Sequence, residues 1–237
     1  SQTYPLESGD VVMHNDSQTF GQVITVNASV NIDSLDIALR GGGVNHFKLL
    51  VSSGRTMQIS EDSAINASYA WYQFILGGTG SINFRKNLTL KNDISDLGSS
   101  QASLISLGES NSDPLSLLRI AGDLNIEKNA SGDMRVYMNA NNITIGGSIN
   151  IAQGAQLHLA RCVTGVESVY SIGGINGGGH LFLGFNSKTY WNQKSVANIT
   201  ITNGGSWSGT FRKETTHADS RLNVTMSGSG TQDFRVS

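Results

Sequence analysis

Apolar and polar residues alternate along this chain in short runs, and the runs end in turns of Asn, Asp, Gly and Ser. One phrase keeps returning. It reads Asn87-Leu88-Thr89-Leu90-Lys91-Asn92, then Asp123-Leu124-Asn125-Ile126-Glu127-Lys128-Asn129, then Asn142-Ile143-Thr144-Ile145-Gly146-Gly147. It returns again as Ser148-Ile149-Asn150-Ile151-Ala152-Gln153-Gly154 and Asn198-Ile199-Thr200-Ile201-Thr202-Asn203-Gly204. A period of two means short strands with one buried face. A strand-and-turn unit that nearly repeats predicts a solenoid, in which each rung buries its apolar face only by stacking on the next. Such a chain makes a long, stiff surface rather than a deep pocket.

Read in order, Val23 to Leu39 holds three successive strands, Val23–Val26, Ser29–Ile32 and Leu35–Leu39, with very short polar turns. Phe47–Val51 and Met57–Ile59 follow, and Tyr69 to Leu76 reads as a strand crowded with aromatics. Between about residues 92 and 116 the pattern loosens into Ser, Gly, Asp and Glu, which predicts an irregular excursion with Leu104-Ile105-Ser106-Leu107 as one rung inside it. Leu124 stands 19 residues before Ile143 and 25 before Ile149, the latter close to one coil of a three-faced β-helix. Gly-Ser-Ile-Asn occurs at Gly80–Asn83 and again at Gly147–Asn150. No stretch carries apolar residues at three- and four-residue spacing over more than two turns, so no helix is expected. The prediction is all-β: one right-handed parallel β-helix over 1–237, its hand set by the preference of parallel crossovers. The Gly-rich C-terminal third belongs to the same unit, and Ser227-Gly228-Ser229-Gly230 reads as a rung turn rather than a cap. Solenoids need covered ends, so the chain is expected to be cut from a longer one.

Composition narrows the function. Gly is abundant at 28 and Pro scarce at 2, with 14% of residues charged. A net charge of −2 gives no long-range field, which argues against nucleic acid and anionic membrane as partners. No run of 18 apolar residues offers a bilayer span. Ser1 to Pro5 has neither a basic nor an apolar targeting segment, consistent with a cytoplasmic chain or a piece of a longer exported one. A lone Cys162 rules out an intrachain disulfide and reads as a small buried hydrophobe, with His158, Ala160 and Cys162 facing opposite to Leu157, Leu159 and Arg161.

Asn-X-Ser/Thr sequons begin at Asn15, Asn27, Asn66, Asn87, Asn129, Asn142, Asn198 and Asn223, the candidates for glycosylation. The competing reading is structural. Asn at a corner and β-branched residues along a strand are what a rung wants, and stacked Asn form hydrogen-bonded ladders. The five His are scattered and the nonapeptide calcium repeat is absent, so neither metal nor cofactor is expected. A β-helix carbohydrate-active enzyme or phage tail component needs clustered carboxylates. Asp93, Asp96, Glu109 and Asp113 come nearest to that, all in the excursion, while Asp123, Glu127 and Asp133 are isolated. Aromatics carry the strongest local signal, because exposed Trp and Tyr stack on sugar rings. The candidate glycan contacts are Trp71, Tyr72, Tyr190, Trp191 and Trp207, with Arg212 beside the last to pair with an acidic sugar.

These Gly-, Asn-, Ser- and Ile-rich rungs, with almost no Cys and repeated Asn-Ile-Thr-Ile phrases, resemble the passenger regions of secreted bacterial β-helix adhesins. Rungs such as Gly122-Asp123-Leu124-Asn125-Ile126 and Asn142-Ile143-Thr144-Ile145-Gly146-Gly147 look most like the high-molecular-weight adhesins of two-partner secretion, relatives of filamentous haemagglutinin; autotransporter passengers share the texture. The amino-terminal secretion motifs of that group are not found. The resemblance implies display at the bacterial surface as a virulence factor, passage through an outer-membrane transporter, adhesion to host glycoconjugates such as sialylated ones, and hexose on sequon Asn. It implies no enzymatic activity and no membrane insertion. A passive stalk with its binding site elsewhere in the parent protein is the remaining alternative.

Overall fold

The computed structural model describes residues 11–15, 23–39, 46–67, 73–93, 102–108, 115–129, 132–160, 167–184 and 194–235. Among these residues there is no helix, and all strand pairing is parallel. In chain order the first strands are β1 (Val11–Asn15), β2 (Val23–Val26), β3 (Val30–Ile32), β4 (Leu35–Leu39), β5 (His46–Val51), β6 (Thr56–Ile59), β7 (Ser63–Ala67) and β8 (Gln73–Gly78). Next come β9 (Ser81–Phe84), β10 (Leu88–Asn92), β11 (Ala102–Leu107), β12 (Leu117–Ile120), β13 (Leu124–Lys128), β14 (Asp133–Met138), β15 (Asn142–Ile151) and β16 (Ala155–Leu159). The last are β17 (Glu167–Gly177), β18 (His180–Leu183), β19 (Val196–Ile201), β20 (Gly205–Trp207), β21 (Phe211–Lys213), β22 (Arg221–Met226) and β23 (Gln232–Phe234).

Every third strand pairs, so the chain winds as a parallel β-helix with three faces. The first face is the eight-stranded sheet β2-β5-β8-β11-β14-β16-β18-β21. The second face runs β3, β6, β9, β12, the first half of β15, the first half of β17, β19 and β22. The third runs β1, β4, β7, β10, β13, the second halves of β15 and β17, β20 and β23. These two faces count as one 15-stranded sheet because β15 and β17 continue around the corner between them. They turn at Gly146-Gly147 and at Gly173-Gly174, and the register shifts between Ile145 and Ser148.

Alternation decides what lies inside. On the second face two unbroken columns fill the core: Val30, Met57, Ile82, Leu118, Ile143, Tyr170, Ile199 and Val224, beside Ile32, Ile59, Phe84, Ile120, Ile145, Ile172, Ile201 and Met226. Each rung is marginal alone, and burial comes from the neighbours above and below.

Asn and Asp hold the corners. Asn87 donates its backbone N–H and its Nδ2 to Asp62 Oδ1, both at 3.0 Å. The Asp123 N–H then donates to Asn87 Oδ1 at 2.8 Å, and the Ser148 N–H to Asp123 Oδ1 at 2.7 Å. Each side chain thus caps a backbone donor of the next coil, which the bend would otherwise leave unpaired. A second ladder lies on the third face, where Asn150 Nδ2 donates to Asn125 Oδ1 at 2.8 Å and Asn176 Nδ2 to Asn150 Oδ1 at 3.0 Å. A third joins Asn66, Asp93 and Asn129 where the third face leads into the first.

Coil length varies with the connections, from 21 residues between Val136 and Leu157 to 36 between Leu88 and Leu124. The longer coil contains the excursion, within which β11 is a regular rung; 94–101 and 109–114 lie outside the described residues. The C-terminal third continues the same sheets, and residues 227–231 form the turn between β22 and β23.

Candidate functional site

The three corners differ. The corner between the second and third faces is short in every coil and bound by the ladder described above. Every internal stretch outside the described residues, from 16–22 to 185–193, joins a strand of the first face. In chain order, these stretches lead into or out of strands of that one sheet.

The outer side of that sheet carries a column in register: Lys48, Ile75, Ser106, Tyr137, His158, Phe182 and Arg212. Outward residues on a solenoid are ordinarily wet, yet Tyr137, His158 and Phe182 are only 6%, 4% and 6% exposed. The His158 ring lies flat on Phe182, with centroids 4.5 Å apart, and meets Tyr137 edge-on at 4.8 Å. Such ring pairs add stabilisation beyond the area they bury. His158 Nδ1 stands 3.5 Å from Glu214 Oε2, and Nε2 stands 3.4 Å from Gln156 Oε1. One strand-step aside, Arg135 Nη2 donates to Asp133 Oδ2 at 2.6 Å. Burial disfavours the Arg135 charge, but Asp133 and Tyr137 together outweigh it and the pKa is raised. His180 Nδ1 lies 2.6 Å from Thr210 Oγ1. The rings are thus closed to solvent, and Arg212 is exposed at the end of their column.

The sequence-predicted site residues separate. Arg212 lies on this column. Trp71 and Tyr72, between β7 and β8 in the chain, and Tyr190 and Trp191, between β18 and β19, lie outside the described residues. Trp207 requires a correction. It is 1% exposed, belongs to the core, donates Nε1–H to the Gly179 carbonyl at 2.9 Å and meets Phe234 edge-on, so no sugar reaches it. The neighbouring glycines do not expose it; they let adjacent coils close over it. A Cβ on Gly209 would stand 1.6 Å from the Gly179 oxygen and 2.7 Å from Trp207 Nε1.

Most sequon amides serve the ladders. Asn66, Asn87, Asn129, Asn198 and Asn223 donate Nδ2 to Asp93, Asp62, Asp93, Glu167 and Asn198 respectively. Asn27 and Asn142 are exposed, and the side chain of Asn15 lies outside the description. The acids also hold structure. Asp93 pairs with Lys91 at 2.6 Å; burial works against its charge, but hydrogen bonds from Lys91 and Asn129 outweigh this and lower its pKa. Asp96, Glu109, Asp113 and Cys162 lie outside the described residues. Among the described residues no group of three or more His, Cys, Asp or Glu is placed to hold a metal ion, and no helix is long and apolar enough to cross a membrane.

Comparison with protein-family models, with curated proteins and with solved structures gives no match.

Sequence reasoning missed the trio Tyr137, His158 and Phe182. The signal lay in alternation, which puts all three outward, but only register shows that they share one column.

Proposed function

We propose that this chain is a non-enzymatic segment of a secreted bacterial surface adhesin, and that it holds host-cell glycoconjugates along its first face. The observation that carries the reading is one of chain order: the connections that contain Trp71, Tyr72, Tyr190 and Trp191 all lead into or out of strands of the first face. That sheet ends in the exposed guanidinium of Arg212, a cation suited to a carboxylated sugar such as a sialic acid. A rigid rod presenting a shallow strip gains strength from many weak contacts across a cell surface rather than from one deep pocket.

A glycan array probed with the purified chain tests this. Binding to acidic glycans is expected, reduced at least tenfold by Arg212→Ala and by Trp71→Ala or Trp191→Ala, and unchanged by Asn27→Gln. Absence of binding across the array favours the stalk reading. Shortened glycans after long incubation favour the enzyme reading.

A further inference from the structure

We propose that Asn203 is a site of spontaneous covalent change in the folded chain. Its side chain closes on the backbone nitrogen of Gly204 and ends as aspartate or isoaspartate, while the amide ladder of the third face keeps Asn176 unreacted. The chain has two Asn-Gly pairs, Asn176-Gly177 and Asn203-Gly204. Asparagine before glycine is prone to this reaction because no Cβ on the glycine hinders the approach of its nitrogen. The Gly204 nitrogen gives up its proton to solvent and bonds to the side-chain carbonyl carbon of Asn203, and the side-chain nitrogen leaves as ammonia. The five-membered imide then takes up one water. Opening at one carbonyl gives aspartate; opening at the other gives isoaspartate, whose backbone runs through the former side chain. An amide and water become a carboxylate and ammonium, with no oxidant or reductant.

The sequence treats the two pairs alike, each followed by a further glycine, but the structure does not. Asn176 lies on the outer side of the third face, in register with Asn150. Its Oδ1 accepts the Ser206 N–H at 2.9 Å from the coil after, and its Nδ2 donates to Asn150 Oδ1 at 3.0 Å in the coil before. Turning its side-chain carbon onto the Gly177 nitrogen breaks both bonds and strands the Ser206 donor.

Asn203 lies in the turn between β19 and β20, at the corner of the second and third faces. Its side chain is exposed and makes no hydrogen bond among the described residues, so it is free to turn. Gly204 has φ of 100°, and its N–H shares the Gly173 carbonyl with the N–H of Asn203, at 2.9 and 2.8 Å. One acceptor serves two donors, so releasing the Gly204 nitrogen leaves that carbonyl still paired. The turn itself is covered on its other side. The Gly205 N–H donates to the Thr231 carbonyl at 3.1 Å, and a Cβ on Gly230 would stand 1.3 Å from the Asn203 carbonyl oxygen. Only the side chain is open.

Position decides the consequence. A carboxylate at position 203 enters water and leaves every ladder intact. At position 176 it would lose the Nδ2 donor and set an oxygen against Asn150 Oδ1.

Incubation of the 237-residue chain in warm, mildly alkaline buffer, followed by peptide mapping and labelling with an isoaspartyl methyltransferase, tests the proposal. Two bonds of modest net strength guard Asn176, so Asn203 should react about tenfold faster in the folded chain. The two rates should converge in urea. Asn203→Gln should remove the product formed in the folded chain. Asn150→Ala, which takes away the Nδ2 acceptor, should speed Asn176 and leave Asn203 unchanged. Equal rates in the folded chain overturn the proposal, as does a rate at Asn203 no greater than at Asn142, which precedes isoleucine. A difference that persists in urea assigns the selectivity to neighbouring sequence and overturns the role of the ladder.

Discussion

The hydroxyl of Tyr170 accepts a hydrogen bond from the backbone N–H of Ala160 at 2.8 Å, ten residues earlier in the chain and wholly inside the solenoid. Ala160 has φ of 49°, the left-handed region that an L residue adopts only under constraint. Its N–H has turned off the β16 ladder just as the chain leaves the first face, and the phenol reaches across the core from the second face to satisfy it. Tyr170→Phe keeps the ring and strands that buried donor. Stability should fall by about 1–3 kcal/mol in denaturant titration, and an unchanged midpoint would show that the bond contributes nothing.

The same phenol gives an alkaline signature. Burial, the dominant effect, pushes the Tyr170 pKa from its ordinary 10.0 up to about 12. A raised native pKa contributes stability that is complete below the unfolded value and fades as pH climbs through the folded one. Unfolding midpoints should therefore decline between pH 10 and about 12, less steeply in Tyr170→Phe. Ultraviolet titration should show one late tyrosine coincident with unfolding. Parallel decline in both proteins contradicts this assignment.

Ser103 points inward on the first face, in register with Met134, and its hydroxyl has no hydrogen-bond partner among the described residues. A buried, unpaired hydroxyl is a net cost. Ser103→Ala should raise stability by about 1 kcal/mol; a loss would mean that the hydroxyl has a partner after all.

Gly147 sits where the corner ladder passes from Asp123 to Ser148. A Cβ there would stand 2.0 Å from Asp123 Oδ1 and 2.9 Å from the backbone of Gly122, so Gly147→Ala must evict the carboxylate from the Ser148 N–H. A loss of about 2–3 kcal/mol is expected. Gly178→Ala, whose nearest neighbour would be 3.8 Å away, should stay within about 0.5 kcal/mol. Equal effects at the two glycines would remove the ladder from the account.

Much of this fold was legible because a solenoid is written locally. Val23–Val26 and Leu35–Leu39 are read from alternation alone and match β2 and β4. The coil length was half legible. The 25-residue spacing of Leu124 and Ile149 is a true register, whereas the 19-residue spacing of Leu124 and Ile143 links strands on different faces. Gly-Ser-Ile-Asn likewise recurs on different faces, in β9 and in the second half of β15. The same phrase serves any face, so sequence alone does not assign it. Trp207 was misread for a related reason: glycine marks a turn from sequence, but here it marks the close approach of neighbouring coils. The site was least legible, since Tyr137, His158 and Phe182 meet only through register.

Stacking itself is tested most directly by distance. Ala64, Thr89, Asn125, Asn150, Asn176 and Ser206 form one outward column on the third face, each a single coil beyond the last. In a Cys162→Ser background, spin labels at Ala64 paired in turn with Asn125, Asn150, Asn176 and Ser206 should give distances by double electron–electron resonance that lengthen by about 5 Å per coil. A separation between positions 64 and 206 no greater than that between 64 and 125 would contradict the coil-on-coil rod.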